Sequence, residues 1–121
     1  MPRILYIEDD PNNRLLVRRI LMAEGIEVDE AGNARDGIAL AATNPPDLIL
    51  MDISMPDMDG LTATNAIRQM PNIAHLPIIA LTANAMTGDR EMILDAGCDG
   101  YISKPINIDT FVQDIMQYIS R

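Results

Sequence analysis

Four consecutive apolar residues, Leu48-Ile49-Leu50-Met51, run directly into a carboxylate, Asp52. A strand with one face in water alternates apolar and polar residues, whereas a strand covered on both faces does not. The run therefore requires a sheet with a layer on either side, and the rest of the chain supplies those layers. Residues 3–7, 26–30, 77–81 and 100–102 read as further short strands, and an amphipathic segment follows each one. Asp10-Pro11 opens the first helix, with Asp10 as its cap and Pro11 in its first turn. Leu16, Ile20 and Ala23 share one face of that helix, and Gly25 stops it. Asn33 caps a second helix through Ile38 and Ala41, which ends at Asn44-Pro45-Pro46. Residues 61–70 read as a third helix, 87–96 as a fourth closed by Gly97, and 107–120 as the last, with Ile108, Val112, Ile115 and Ile119 on one face. Five βα units within 121 residues imply an α/β fold, a parallel sheet with helices on both faces.

That length corresponds to one domain spanning residues 1–121, and the 48% hydrophobic content suffices for a core without metals or disulfides. The net charge of −9 opposes binding to nucleic acid and to anionic membranes. Cys98 is the only cysteine, which excludes an intrachain disulfide and reads as a small buried hydrophobe beside a strand. No leader opens the chain and no apolar run approaches spanning length, so a soluble cytoplasmic protein is expected.

Polar residues gather at the strand ends. Glu8 and Asp9 close the first strand, Asp52 the third and Thr82 the fourth, while Lys104 follows the fifth. Open α/β sheets bind ligands at the carboxyl ends of their strands, where strand order reverses. If strands one and three are neighbours, Glu8, Asp9 and Asp52 converge. Converging carboxylates repel, and a hard divalent cation relieves the conflict: Mg²⁺ above all, with Mn²⁺ or Ca²⁺ as substitutes. Glu8-Asp9-Asp10 alone reads more simply as a solvated acidic rim; Asp52 at the end of a buried strand favours the metal. Lys104 is the single lysine beside eight arginines. A compact ammonium suits one phosphoryl oxygen better than a planar guanidinium does, and Lys104-Pro105 permits a cis peptide that aims the side chain at the acids. Thr82 offers either a hydroxyl to a phosphoryl oxygen or a bond to its own loop. Tyr101 reads as a half-buried strand aromatic or as a switch element, and His75 as an exposed loop residue.

In order and spacing, four motifs resemble the receiver domain of the bacterial response-regulator family. They are Ile4-Leu5-Tyr6-Ile7-Glu8-Asp9-Asp10, residues 47–60 around Asp52, Pro77-Ile78-Ile79-Ala80-Leu81-Thr82-Ala83 and Gly100-Tyr101-Ile102-Ser103-Lys104-Pro105. The resemblance implies a flavodoxin-like doubly wound (βα)5 fold with strand order 2-1-3-4-5. It implies that Asp52 accepts a phosphoryl group from a sensor histidine kinase or a His-phosphotransfer protein. Asp9, Asp52 and the Ser54 carbonyl then bind Mg²⁺ directly, Glu8 acts through water, and Lys104 and Thr82 hold phosphoryl oxygens. Tyr101 follows Thr82 in a switch read by a downstream protein target.

Glu8 departs from the Asp that many receivers carry first. The 83–90 stretch resembles stand-alone cell-cycle and phosphorelay receivers as well as those of hybrid kinases; Met1 directly before the first strand favours the stand-alone form over an excised domain. An aspartate-based phosphatase needs a second acid two residues after its nucleophile, where Ser54 stands here. A flavodoxin-like cofactor binder needs a phosphate loop in place of Glu8-Asp9-Asp10-Pro11. A degenerate receiver working unphosphorylated would not need the intact acids, Thr82 and Lys104. The expected role is a phosphoacceptor switch rather than an enzyme turning over an external substrate.

Overall fold

The computed structural model describes residues 2–55, 58–83 and 90–119. Five strands alternate with five helices: β1 (Arg3–Ile7), α1 (Pro11–Met22), β2 (Glu27–Ala31), α2 (Ala34–Thr43), β3 (Leu48–Asp52), α3 (Gly60–Arg68), β4 (Ile78–Thr82), α4 (Arg90–Asp95), β5 (Gly100–Ser103) and α5 (Ile108–Ile119). Every pairing is parallel and the order is β2-β1-β3-β4-β5. This is the doubly wound arrangement that the apolar runs and the resemblance imply.

β3 lies at the centre and all of its residues are buried. Ile49 and Met51 face one layer, built with Ala34 and Ala41 of α2, Ala63 and Ile67 of α3, and Ile93 of α4. Leu48 and Leu50 face the other, built with Val17 and Leu21 of α1 and Phe111 and Ile115 of α5. The unbroken apolar run thus has a helical layer on each side. Helix starts follow their caps: the Asp10 side chain accepts from the Asn12 N–H at 2.9 Å, Asn33 from Asp36 at 2.8 Å and Asp59 from Thr62 at 2.8 Å. Pro11 occupies the first turn of α1, and Gly25 takes φ +77° just beyond it. Among the described residues no helix is long and apolar enough to cross a membrane.

Two helix faces differ from expectation. α1 buries Val17 and Leu21 and leaves Leu16 43% exposed, with Ala23 exposed too. The two rows both fit helical spacing, and the one facing the sheet lies one position further along. α5 is centred on Phe111 and Ile115, with Val112 and Ile119 half-buried and Ile108 61% exposed. The large Phe111 ring claims the inward position and rotates the stripe away from Ile108. Positions 84–89, where the fourth helix was expected to begin, lie outside the described residues, as does 120 at the end of the last.

Two contacts set the ends of the sheet. At the carboxyl end, α3 starts hard against the strand that carries Asp52. A Cβ on Gly60 would sit 2.5 Å from the Asp52 carbonyl oxygen and 2.7 Å from the Ile53 Cα, so only glycine permits this approach. At the opposite end, Arg68 donates to the carbonyls of Gly97 (2.9 Å), Ala74 (2.8 Å) and Leu76 (2.6 Å) and to Asp99 Oδ2 (2.9 Å). Asp99 Oδ2 in turn accepts from the Ile78 N–H at 2.8 Å, at the start of β4. One guanidinium therefore ties the end of α3, the approach to β4 and the turn before β5. Arg68→Ala leaves several of these carbonyls and Asp99 without their donor, and is expected to cost about 2–4 kcal/mol. Urea denaturation checks this: the midpoint falls with the slope unchanged, and Arg68→Lys, which lacks the fork, recovers only part of the loss.

Candidate functional site

The pairing of β1 with β3 places Ile7 beside Met51, so the residues that follow β1 meet the end of β3. Glu8, Asp9 and Asp52 each bring a carboxylate oxygen within 4.8 Å of the others. Glu8 is 1% and Asp52 2% exposed, whereas Asp9 is open to solvent, which makes a cleft with a buried floor and a wet rim. Lys104 enters from beyond β5, its Nζ 3.2 Å from Asp52 Oδ1 and 3.4 Å from Glu8 Oε1. The Lys104–Pro105 peptide is cis, and the Lys104 N–H donates to the Thr82 carbonyl at 2.8 Å, extending the β4–β5 ladder by one residue. Thr82 is buried at the tip of β4, the neighbour of β3. The Ser54 N–H donates to Asp52 Oδ1 at 3.1 Å. Tyr101 lies half-buried on β5 beside Ala80, and its hydroxyl accepts from Arg90 Nη1 at 3.3 Å.

The electrostatics follow from this crowding. Burial, reinforced by the adjacent Asp52, pushes the Glu8 carboxyl up to about 7. Burial opposes the charge on Lys104, but Asp52 and Glu8 outweigh it and hold the ammonium above the ordinary lysine value. Burial raises the Tyr6 phenol, and Glu8 beside it raises it further, so Tyr6 remains a hydrogen-bond donor. The three carboxylates offer only hard oxygen ligands and outnumber the one ammonium beside them, which is the chemistry that fits Mg²⁺.

Glu8, Asp9, Asp52 and Lys104 therefore come together as the sequence suggests, with Ser54 and Thr82 next to them and Tyr101 further along the edge strand. Cys98 is buried ahead of β5, at the end of the sheet away from the acids, with its Sγ 3.6 Å from Thr64 Oγ1. Burial pushes its thiol up. His75 is exposed in the loop before β4. Positions 56, 57 and 84–89 of the motifs lie outside the described residues. Three contributors escaped the sequence reading. Tyr6 donates its hydroxyl to Glu8 Oε1 at 2.9 Å, Asn13 Nδ2 approaches the same oxygen at 3.4 Å, and Arg14 Nη1 donates to the Glu8 carbonyl at 2.6 Å. The available signal was a tyrosine in a strand otherwise aliphatic after Arg3, two residues before a carboxylate and hence on the same face.

Comparison with known proteins agrees with this geometry. The family pattern of the response regulator receiver domain matches residues 4–116. The chain is 40% identical over 120 residues to the polar-differentiation response regulator DivK of Brucella anthropi, covering 98% of each chain. It is 36% identical to the receiver domain of the sensor histidine kinase PA1611 of Pseudomonas aeruginosa, solved with a magnesium ion coordinated in its active site cleft. That match has a TM-score of 0.92 and covers 99% of this chain and 98% of the other. The chemotaxis protein CheY4 of Vibrio cholerae superposes with a TM-score of 0.92 at 27% identity, over 98% of each chain.

The raised Glu8 value has a consequence for stability. A carboxyl whose folded-state value of about 7 exceeds its ordinary 4.5 holds its proton more tightly when folded. In metal-free protein the folded state thus binds more protons than the unfolded state between those values, and stability falls as pH rises through that window. Thermal melts in EDTA are expected to show a lower melting temperature at about pH 7.5 than at about pH 5.5. Glu8→Gln flattens this dependence, because an amide has no proton to lose.

Proposed function

Because the chain belongs to the response regulator receiver domain family of two-component signalling, we propose that Asp52 accepts a phosphoryl group from the phosphohistidine of a sensor histidine kinase or a His-phosphotransfer protein. The observation that carries this is the Asp52 carboxylate itself: 2% exposed, at the tip of the central strand, with Lys104 Nζ at 3.2 Å and two further acids alongside. A carboxylate oxygen of Asp52 bonds to phosphorus as the bond from phosphorus to the imidazole nitrogen breaks, and that electron pair leaves on the imidazole. The product is an aspartyl phosphate.

The surrounding residues position and neutralise rather than react. Lys104 stands on the Asp52 side of the cleft and holds one phosphoryl oxygen; the Thr82 hydroxyl holds another. Asp9, Asp52 and the Ser54 carbonyl would hold Mg²⁺ directly and Glu8 through water, with Mn²⁺ or Ca²⁺ as substitutes. The ion, when bound, neutralises charge on the transferring group. No external substrate is turned over, since the phosphoryl group stays on Asp52 until water removes it.

The output is a change in the face formed by α4, β5 and α5. Engagement of Thr82 by phosphate frees space for Tyr101 to turn inward, and a downstream protein target reads the altered face. Residues 1–121 act as one receiver domain in the cytoplasm. The charge of −9 supports protein partners over nucleic acid or membrane insertion. Family membership over residues 4–116 supports this reading against a phosphatase, whose second acid position holds Ser54.

Asp52→Ala is expected to abolish labelling by acetyl phosphate in Mg²⁺, read by intact-mass spectrometry; full labelling of the variant at another residue overturns the assignment. Thr82→Ala is expected to accept phosphate at Asp52 but to lose the linkage to the partner. The relevant quantity is partner affinity with and without beryllofluoride. Wild type gains about 1–3 kcal/mol, the usual size of such couplings, and the variant gains little. An equal gain in both proteins removes Thr82 from the switch.

A further inference from the structure

We propose that Tyr6 is a positioning residue for the acidic site: its buried hydroxyl fixes the Glu8 carboxylate, and this bond accommodates glutamate at the first acid position. The inference rests on the metal-binding reading above and deepens it.

Tyr6 is 0% exposed and sits in the layer with Val17, Leu21, Leu50, Leu81 and Phe111. Those neighbours are all apolar, and a phenylalanine would fill the place without a polar atom. A buried phenol is costly unless its hydroxyl is bonded. The partner is Glu8, two residues on and just past the end of β1, whose Oε1 accepts at 2.9 Å. A bond to a carboxylate is charge-assisted and stronger than a neutral one.

Three other donors approach Glu8, each at 3.4 Å: Asn13 Nδ2 and Lys104 Nζ at Oε1, and the Asp10 N–H at Oε2. Tyr6 makes the shortest of these bonds and is the one donor locked inside the core, since Lys104 is 25% exposed and Asn13 half-buried. The phenol therefore decides where the Glu8 carboxylate lies. The extra methylene of glutamate gives it the reach to bond Tyr6 and still stay within 4.8 Å of Asp9 and Asp52. Residues that orient a metal-binding group commonly contribute about ten- to hundredfold in metal affinity.

The test titrates Mg²⁺ into the full chain at fixed pH, followed by amide chemical shifts, for wild type, Tyr6→Phe, Glu8→Asp and the double variant. Tyr6→Phe is expected to weaken Mg²⁺ about tenfold. The same change in the Glu8→Asp background is expected to cost less than about twofold, because the shorter acid no longer depends on the phenol. A purely structural role predicts equal losses in both backgrounds. That result, or a Tyr6→Phe protein within about twofold of wild type, overturns the inference. If Tyr6→Phe does not fold, Tyr6→Leu carries the same comparison. A wild-type protein that binds no Mg²⁺, or binds it undiminished after Asp9→Asn with Asp52→Asn, overturns the metal reading and this inference with it. Binding that needs both acids but ignores Tyr6 overturns this inference alone.

Discussion

The structure depends on holding two nearly buried carboxylates, Glu8 and Asp52, beside one another with a single ammonium between them. Left to itself this arrangement would come apart, because like charges in a poorly hydrated place repel strongly. It persists because the backbone gives it no freedom to relax. β1 and β3 are adjacent in a sheet covered on both faces, Gly60 brings α3 against the Asp52 carbonyl, and the Lys104 backbone is tied to Thr82. The energy of packing two apolar layers around β3 is thereby stored, in part, as an electrostatic demand at the strand tips. Under the function proposed above, a cation and a phosphoryl group together would meet that demand, with no covalent machinery beyond one carboxylate.

Much of this was legible in the sequence, for reasons that differ by element. The central strand declared itself through its unbroken apolar run, since only double coverage tolerates one. Asp10, Asn33 and Gly25 marked helix ends through chemistry local to a few residues. Glu8, Asp9, Asp52, Thr82 and Lys104 were recognisable because polar residues at strand ends stand out against apolar strands. The faces of α1 and α5 were not legible, because two adjacent rows fit helical spacing equally well. Which row turns inward depends on the layer it packs against: Val17 and Leu21 of α1 and Phe111 of α5 turn in with Tyr6, Leu48 and Leu50 of the sheet. The strand order also needed the resemblance, since periodicity carries no information about neighbours. Tyr6 and Asn13 were missed for a related reason. Their roles are contacts to Glu8: that of Asn13, from a helix to the end of a strand, has no signature along the chain, and that of Tyr6 left only the spacing of a strand tyrosine two residues before a carboxylate.

Glu8 shows how a change at one acid position propagates. A longer side chain in a buried cleft needs more donors to hold it, and the site provides them from β1, α1 and the residue after β5. The raised value of Glu8 and the raised value of Lys104 express one balance seen from both sides: burial disfavours each charge, and for the lysine its acidic neighbours win. The lone lysine is thus the counterweight of the two buried carboxylates.

At the far end of the sheet, the Arg68 guanidinium holds the Gly97 carbonyl, immediately beyond α4. This anchors the C-terminal end of α4, while at Arg90, the first of its described residues, the guanidinium donates to the Tyr101 hydroxyl in an exposed bond. Such a helix behaves as a lever with a fixed fulcrum. Any displacement of α4 is then a swing about its C-terminal end, and its amplitude grows along the roughly 7.5 Å from Asp95 to Arg90, at 1.5 Å per residue. Among the described residues the arm is longest at Arg90, so a small rotation at the fulcrum is magnified beside Tyr101.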